Sequence, residues 1–309
     1  MKLFHSLEEY REYADAHGRE RTALTFGKFD GIHIGHKKLI CQITDHARAL
    51  SLKSAVIAIE INPNTILSHE ERADYLESLG VDILIECPFT DKFRSTSAED
   101  FIRGILCDTM HAAFVCAAQD LSFGHDRQGD AATLEQAGCR FGFQTKILEM
   151  EPFHGMAVSS TRVREALKEG DMELVRELLG RPYPVMGTVR HGRHIGTGIG
   201  IPTVNVHPAP EKLLPPDGVY ASITHLPGKV VKKGITNIGV RPTVNGKTRK
   251  AETTLFDYHE DLYGQTITSE LLCFLRPEQK FSGLESLKAQ IEKDCERARE
   301  MLKSAPSRS

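Results

Sequence analysis

Five residues, Gly180-Arg181-Pro182-Tyr183-Pro184, separate two stretches of chain built on different rules. A glycine readily ends a helix, and prolines cannot continue one. Before this boundary, short apolar runs at 23–26, 55–61, 81–86, 112–117 and 143–148 alternate with helix-patterned segments at 37–50, 69–79, 98–107 and 131–137. Such alternation predicts a parallel sheet with right-handed crossovers, which binds ligands at the carboxyl ends of its strands. Helices at 161–168 and 172–179 close this half. Beyond the boundary, strand patterns at 185–190, 219–224, 230–235, 250–258 and 266–275 run without an intervening helix until 284–302. They predict a small antiparallel barrel or sandwich capped by a terminal helix. The expected class is α/β, with domains at 1–180 and 184–309.

Chemistry concentrates at the end of the first apolar run, in Gly27-Lys28-Phe29-Asp30-Gly31-Ile32-His33-Ile34-Gly35-His36. A strand runs into a glycine-punctuated turn, and the turn opens a helix bearing two histidines three residues apart. Residues so spaced share a helical face. A helix N-terminus offers free N–H groups and partial positive charge, which suit a phosphate. Two imidazoles there can stabilise charge developing on phosphorus. Further along, Ser159-Ser160-Thr161-Arg162-Val163-Arg164 starts a helix: the hydroxyls can cap it, and the arginines can clamp phosphate.

The 309 residues leave room for about two domains of ordinary size. A net charge of −3 implies no general attraction to nucleic acid, so anionic substrates must be met by local basic groups and helix ends. The seven cysteines include no Cys-x-x-Cys pair, no zinc spacing and no disulfide framework, which predicts a reduced, cytoplasmic setting. No signal-peptide core and no membrane-length apolar run is present. Oligomeric state has no signature here.

The stretch from Gly27 to His36 resembles the HxGH motif of nucleotidyltransferases. More narrowly, it resembles the Gly-x-Phe-Asp-Gly-x-His-x-Gly-His of the bacterial bifunctional riboflavin kinase/FAD synthetase family. Residues 159–164 resemble that superfamily's Ile-Ser-Ser-Thr-x-Ile-Arg signature. Asp120-Leu121-Ser122-Phe123-Gly124 resembles its Gly-x-Asp-Phe-x-Phe-Gly loop, with Ala118 and Leu121 as departures. Ile59-Glu60-Ile61-Asn62-Pro63 stands where the family has Phe-Glu-Pro-His-Pro. In the second half, Gly196-Thr197-Gly198-Ile199-Gly200-Ile201-Pro202-Thr203-Val204-Asn205 resembles the riboflavin kinase fingerprint. Gly218-Val219-Tyr220, Asn237-Ile238-Gly239 and Glu252-Thr253-Thr254 follow in the family's order.

The resemblance implies a Rossmann-like nucleotidyltransferase sheet followed by a riboflavin kinase-like antiparallel β-barrel. It also implies ATP-dependent phosphorylation of riboflavin to FMN, then adenylylation of FMN to FAD with release of pyrophosphate. It gives catalytic roles to His33, His36 and Glu252, the last as base. ATP and phosphate contacts fall to Gly27, Asp30, Gly35, Ser160, Thr161, Arg162, Gly196, Gly198, Gly200 and Pro202. Flavin contacts fall to Asp120, Phe123 and Arg276, and magnesium ligands to Thr203 and Asn205. Arg276 has a second possible partner, the acidic C-terminal helix. The departures at Ile61, Asn62, Ala118, Leu121, Thr197 and Thr254 leave two alternatives open. One is a kinase with a weakened or inactive FAD synthetase domain; the other is a flavin-binding regulator. The implied partners are small molecules, with neither nucleic acid nor membrane.

Overall fold

A computed structural model describes residues 1–60, 63–191, 201–243 and 246–303, with the side chains of 241–248 left aside. The chain divides into two compact units, Met1–Pro63 with His69–Ser160, and Asn64–Ser68 with Thr161–Ser309.

The first unit begins with β1 (Lys2–Phe4) and α1 (Leu7–His17), both unmarked in the sequence reading. Then come β2 (Thr22–Gly27), α2 (Ile34–Leu50), β3 (Lys53–Glu60), α3 (His69–Ser78) and β4 (Ile83–Pro88). Two short turns, α4 (Asp91–Arg94) and α5 (Ala98–Asp100), precede β5 (Ala112–Ala118). A small hairpin of β6 (Ser122–Phe123) and β7 (Gly129–Asp130) leads to α6 (Ala131–Phe141) and β8 (Gln144–Leu148). The expected parallel sheet is present, in the order β1-β4-β3-β2-β5-β8. Its central strands are buried on both faces: residues 22–26 are all buried, as helices on either side require.

The helix expected over 98–107 takes another form. After α5 the chain continues as a π-helix, Phe101–Thr109. Its buried residues are Phe101, Ile102, Ile105, Leu106 and Thr109, a repeat of about four. The Met110 N–H donates to the Ile105 carbonyl (2.9 Å), and the Thr109 hydroxyl to that of Gly104 (2.7 Å).

The second unit holds α7 (Ser160–Glu169, from its second residue), α8 (Met172–Leu179) and a closed antiparallel barrel. The barrel strands are β9 (Tyr183–Arg190), β10 (Val204–His207), β11 (Gly218–Leu226), β12 (Val230–Thr243), β13 (Gly246–Leu255) and β14 (Thr266–Pro277), ordered β10-β13-β12-β11-β14-β9. Of the two architectures open to the sequence, the barrel is the one formed. Tyr183 and Pro184, read as boundary residues, already belong to β9. Tyr183 is fully buried, and its hydroxyl donates to the Ile66 carbonyl (2.8 Å). Gly180 ends α8 at φ +67°, where a side chain would be strained.

Inside the barrel the Thr253 and Ser269 hydroxyls meet at 3.3 Å, although β13 and β14 are not neighbours. These side chains therefore point inward, and Glu252, next to Thr253, points outward. The C-terminal helix α9 (Leu284–Met301) packs on part of the outer face through Ala298, with Leu302, against Val219, Ile235 and Leu275. Among the described residues no helix is long and apolar enough to cross a membrane.

Candidate active sites

In the first unit, β2 delivers the chain into a tight turn. Phe29 and Ile32 are anchored in the core at 1% and 0% exposure, and Asp30 and His33 are buried beside them. Ile32 has φ +45°, a left-handed conformation that a β-branched residue adopts only under strain, at about 1–3 kcal/mol. Backbone strain of this size persists where the surroundings fix the chain, and here it immediately precedes the paired histidines.

Helix α2 starts at Ile34, three residues earlier than the pattern suggested, because His33 is its N-cap: the ring Nδ1 accepts the His36 N–H at 3.3 Å. The two histidines thus do not share a helical face. Their rings stack, with centroids 3.7 Å apart and planes 13° from parallel. With Nδ1 accepting, a neutral His33 carries its proton on Nε2. Gly35 keeps this stack open, since a Cβ there would lie 3.2 Å from His33 Nδ1 and 3.5 Å from Met150 Sδ. Burial, and then His33, hold the His36 imidazole well below its usual pKa, so it is neutral at pH 7. The His36 Nδ1 is buried without a hydrogen-bond partner.

Asp120 is exposed in the turn after β5. Phe123 is not exposed: it packs edge-on to Phe26 (5.5 Å) and tilted to Phe101 (5.4 Å) in the core. Ser160 ends the first unit, and Thr161 and Arg162 open the second, all in the first turn of α7.

At the carboxyl ends of β3 and β4, Glu60, His69 and Glu86 bring ligand atoms within 4.8 Å of one another, a spacing suited to a metal ion. The Arg72 guanidinium already supplies a cation. It donates to Glu60 (2.6 Å) and, from two nitrogens, to Glu86. Burial pushes the Glu86 carboxyl up, but Arg72 and His69 outweigh it and leave the group below its ordinary value. Sequence reading missed this cluster, because no local spacing links residues 60, 72 and 86.

In the barrel, pairing register builds the second site. Asn205 of β10 lies opposite Glu252 of β13, which lies opposite Asn237 of β12. Directly paired residues share a face, so the three form one row on the outside of the barrel. Asn237 donates to Glu278 (3.2 Å), and Gly239 makes room, since a Cβ there would fall on the Glu278 carboxylate. Thr203 is half-buried two residues before Asn205, and Pro202 is exposed beside it. Of the two partners open to Arg276, the helix carboxylate is the one found. Its guanidinium is gripped by Asp294 of α9 at 2.7–3.0 Å. Gly196, Gly198 and Gly200, like Thr197, Ile61 and Asn62, lie outside the described residues.

Two family models match the chain, FAD synthetase over residues 15–162 and riboflavin kinase over residues 179–302. The bifunctional riboflavin kinase/FMN adenylyltransferase of Haemophilus influenzae is 36% identical, over 91% of this chain and 94% of its own length. Its counterpart in Escherichia coli K12 is 35% identical, over 91% and 93%. A crystal structure described as a macrolide-efflux protein from Streptococcus pneumoniae is 27% identical. It matches with a TM-score of 0.81 over 99% of each chain.

Proposed function

Since the chain belongs to the bifunctional riboflavin kinase/FMN adenylyltransferase family, we propose that it phosphorylates riboflavin to FMN and adenylylates FMN to FAD. We assign adenylylation to residues 1–180 and the kinase to residues 184–309. From the Streptococcus pneumoniae protein we take the fold alone.

The observation that carries the kinase reading is the row Asn205–Glu252–Asn237. Glu252 accepts the proton of the ribityl 5′-hydroxyl as its oxygen bonds the γ-phosphorus of ATP and ADP leaves. The Asn205 amide oxygen and the Thr203 hydroxyl are hard oxygen donors, the type magnesium takes, and would hold it. When bound, magnesium would offset phosphate charge. Asn237, steadied by Glu278, fixes the far side of the row.

In adenylylation an FMN phosphate oxygen attacks the α-phosphorus of ATP, and the bond to pyrophosphate breaks. No protein nucleophile is required; positioning and charge stabilisation carry the step. His33 offers the Nε2 proton to the reacting phosphates, and His36, kept neutral, lies stacked behind it. Gly27, Asp30 and Gly35 let the phosphates approach, and the family resemblance gives Ser160, Thr161 and Arg162 phosphate contacts of their own. Asp120 borders the flavin, in a loop anchored by Phe123. Arg276 acts on the flavin side through its grip on α9. All seven cysteines are free, which suits a reducing cytosol.

The test is chromatography of flavins after incubation with ATP and magnesium, one sample holding riboflavin and another FMN. Wild-type protein gives FAD from both. Glu252→Gln stops FMN formation and leaves FMN-to-FAD conversion intact; His36→Ala does the reverse. Loss of both activities in either variant would overturn the two-site reading.

A further inference from the structure

The Glu252 row does not stop at Asn205. In β9, Arg190 lies opposite Asn205, which extends the row to Arg190–Asn205–Glu252–Asn237. One step along the same strands and on the same face, Thr188 lies opposite His207. His207, two residues beyond Asn205, neighbours Lys250, two residues before Glu252. Two cations thus stand on the outer face of the barrel, on either side of the Asn205–Glu252 pair. Among the described residues neither Arg190 nor Lys250 makes an ion pair or a side-chain hydrogen bond. By contrast, Arg249 is held by Asp217 and Arg276 by Asp294. Between them sits His207, whose Nε2 is buried without a partner. Burial, and after it the charges of Lys250 and Arg190, hold its imidazole below the usual value.

Resting on the kinase reading above, we propose that Arg190 and Lys250 form a phosphate subsite that grips the polyphosphate of ATP beside Glu252. Two cations without carboxylate partners, set beside a carboxylate and an amide, suit an anion with several oxygens. Arg190 can take two of those oxygens at once through its planar fork, and Lys250 supplies a point charge. Their placement beside the base puts positive charge where the transferred phosphoryl group gathers negative charge. Nothing local in the sequence unites residues 190, 207 and 250; only strand register does so.

The test uses full-length Arg190→Gln and Lys250→Met, with FMN formation measured against ATP and riboflavin separately. Each change is expected to raise KM for ATP about tenfold, the loss of one charge-assisted contact, while KM for riboflavin stays fixed. Lys250→Arg should restore most of the loss, which a packing role would not allow. FMN-to-FAD conversion, assigned to residues 1–180, is the internal control for folding and should not change. If KM for ATP holds but product inhibition by FMN weakens about tenfold, the subsite serves the FMN phosphate, and the nucleotide assignment falls. Unchanged ATP and FMN constants in an active enzyme would overturn the subsite alone. No FMN from the wild-type protein would overturn the kinase reading and the subsite together.

Discussion

Arg72→Met offers the sharpest trial of the physical reasoning. The Arg72 and Glu86 side chains are 4% and 3% exposed, and Glu60 is 26% exposed. Removing the guanidinium leaves a buried carboxylate without its main cation, which costs about 3–5 kcal/mol in such settings. Glu60 can turn towards water, and His69 stays 3.0 Å from Glu86, so the lower end applies, about 3 kcal/mol. For a folded unit of about 150–250 residues this lowers Tm by about 6–12 °C. The pH response separates this cause from lost packing. In the wild type the Glu86 carboxyl lies below its ordinary value of 4.5. The unfolded chain therefore binds more protons near that pH, so the pair's contribution is complete above it and fades as pH falls through the folded value. In Arg72→Met the carboxyl rises above its ordinary value and the sign reverses, so the variant's deficit narrows on acidification. Urea and thermal unfolding at pH 7 and pH 5 read both effects. Arg72→Met/Glu86→Gln removes the stranded charge and should recover at least half the loss. A deficit under about 1 kcal/mol, or a double variant weaker than the single, would refute the argument.

Three further outcomes follow from the geometry. His33→Ala should cost about 1 kcal/mol by uncapping α2 and should stop FAD formation; His33→Asn should restore the Tm but not the FAD, since asparagine caps well and lacks an imidazole. His36 has a depressed pKa in the folded state, so the unfolded chain takes up its proton first as pH drops below about 6.5. Wild-type stability should consequently fall faster than that of His36→Asn between pH 6.5 and 5, and parallel unfolding curves would contradict this. Under native alkylation at pH 8, mass spectrometry should find exposed Cys139 modified while Cys87 and Cys116 stay intact, both buried with thiols pushed up to about 12.

Much of this protein was legible in its residue pattern, because the pattern and the fold obey the same periodicities. The parallel sheet followed from apolar runs alternating with helical segments, and five of the six barrel strands from Gly-, Pro- and Asn-bounded runs; β10 went unread. What escaped was non-local or depended on one hydrogen bond. The start of α2 shifted because an imidazole took a capping role usually filled by serine or aspartate. The π-helix left no mark in the apolar pattern, since its buried positions fit an ordinary helix equally well. Phe123 looked like a ligand-facing ring, but β7 folds back on it so closely that a Cβ at Gly129 would touch it at 2.7 Å. The Arg72 cluster and the Arg190–Lys250 pair join residues far apart in sequence, which only sheet order and register bring together.

The excursion of residues 64–68 has a consequence for dividing the chain. This segment lies between β3 and α3 in sequence, yet it is folded into the barrel unit. Thr65 donates its N–H to the Glu211 carbonyl (2.7 Å) and receives that of Leu213 (2.8 Å). The Ile66 carbonyl accepts both the Tyr183 hydroxyl (2.8 Å) and the buried Lys212 ammonium (2.7 Å). A gene cut anywhere between the two family domains therefore severs the barrel from a piece of itself. The severed barrel would keep a buried lysine and tyrosine stripped of a shared acceptor. During synthesis, residues 64–68 must also wait for some 150 later residues before their partners emerge, so the first half of the chain cannot finish folding its own sequence in order.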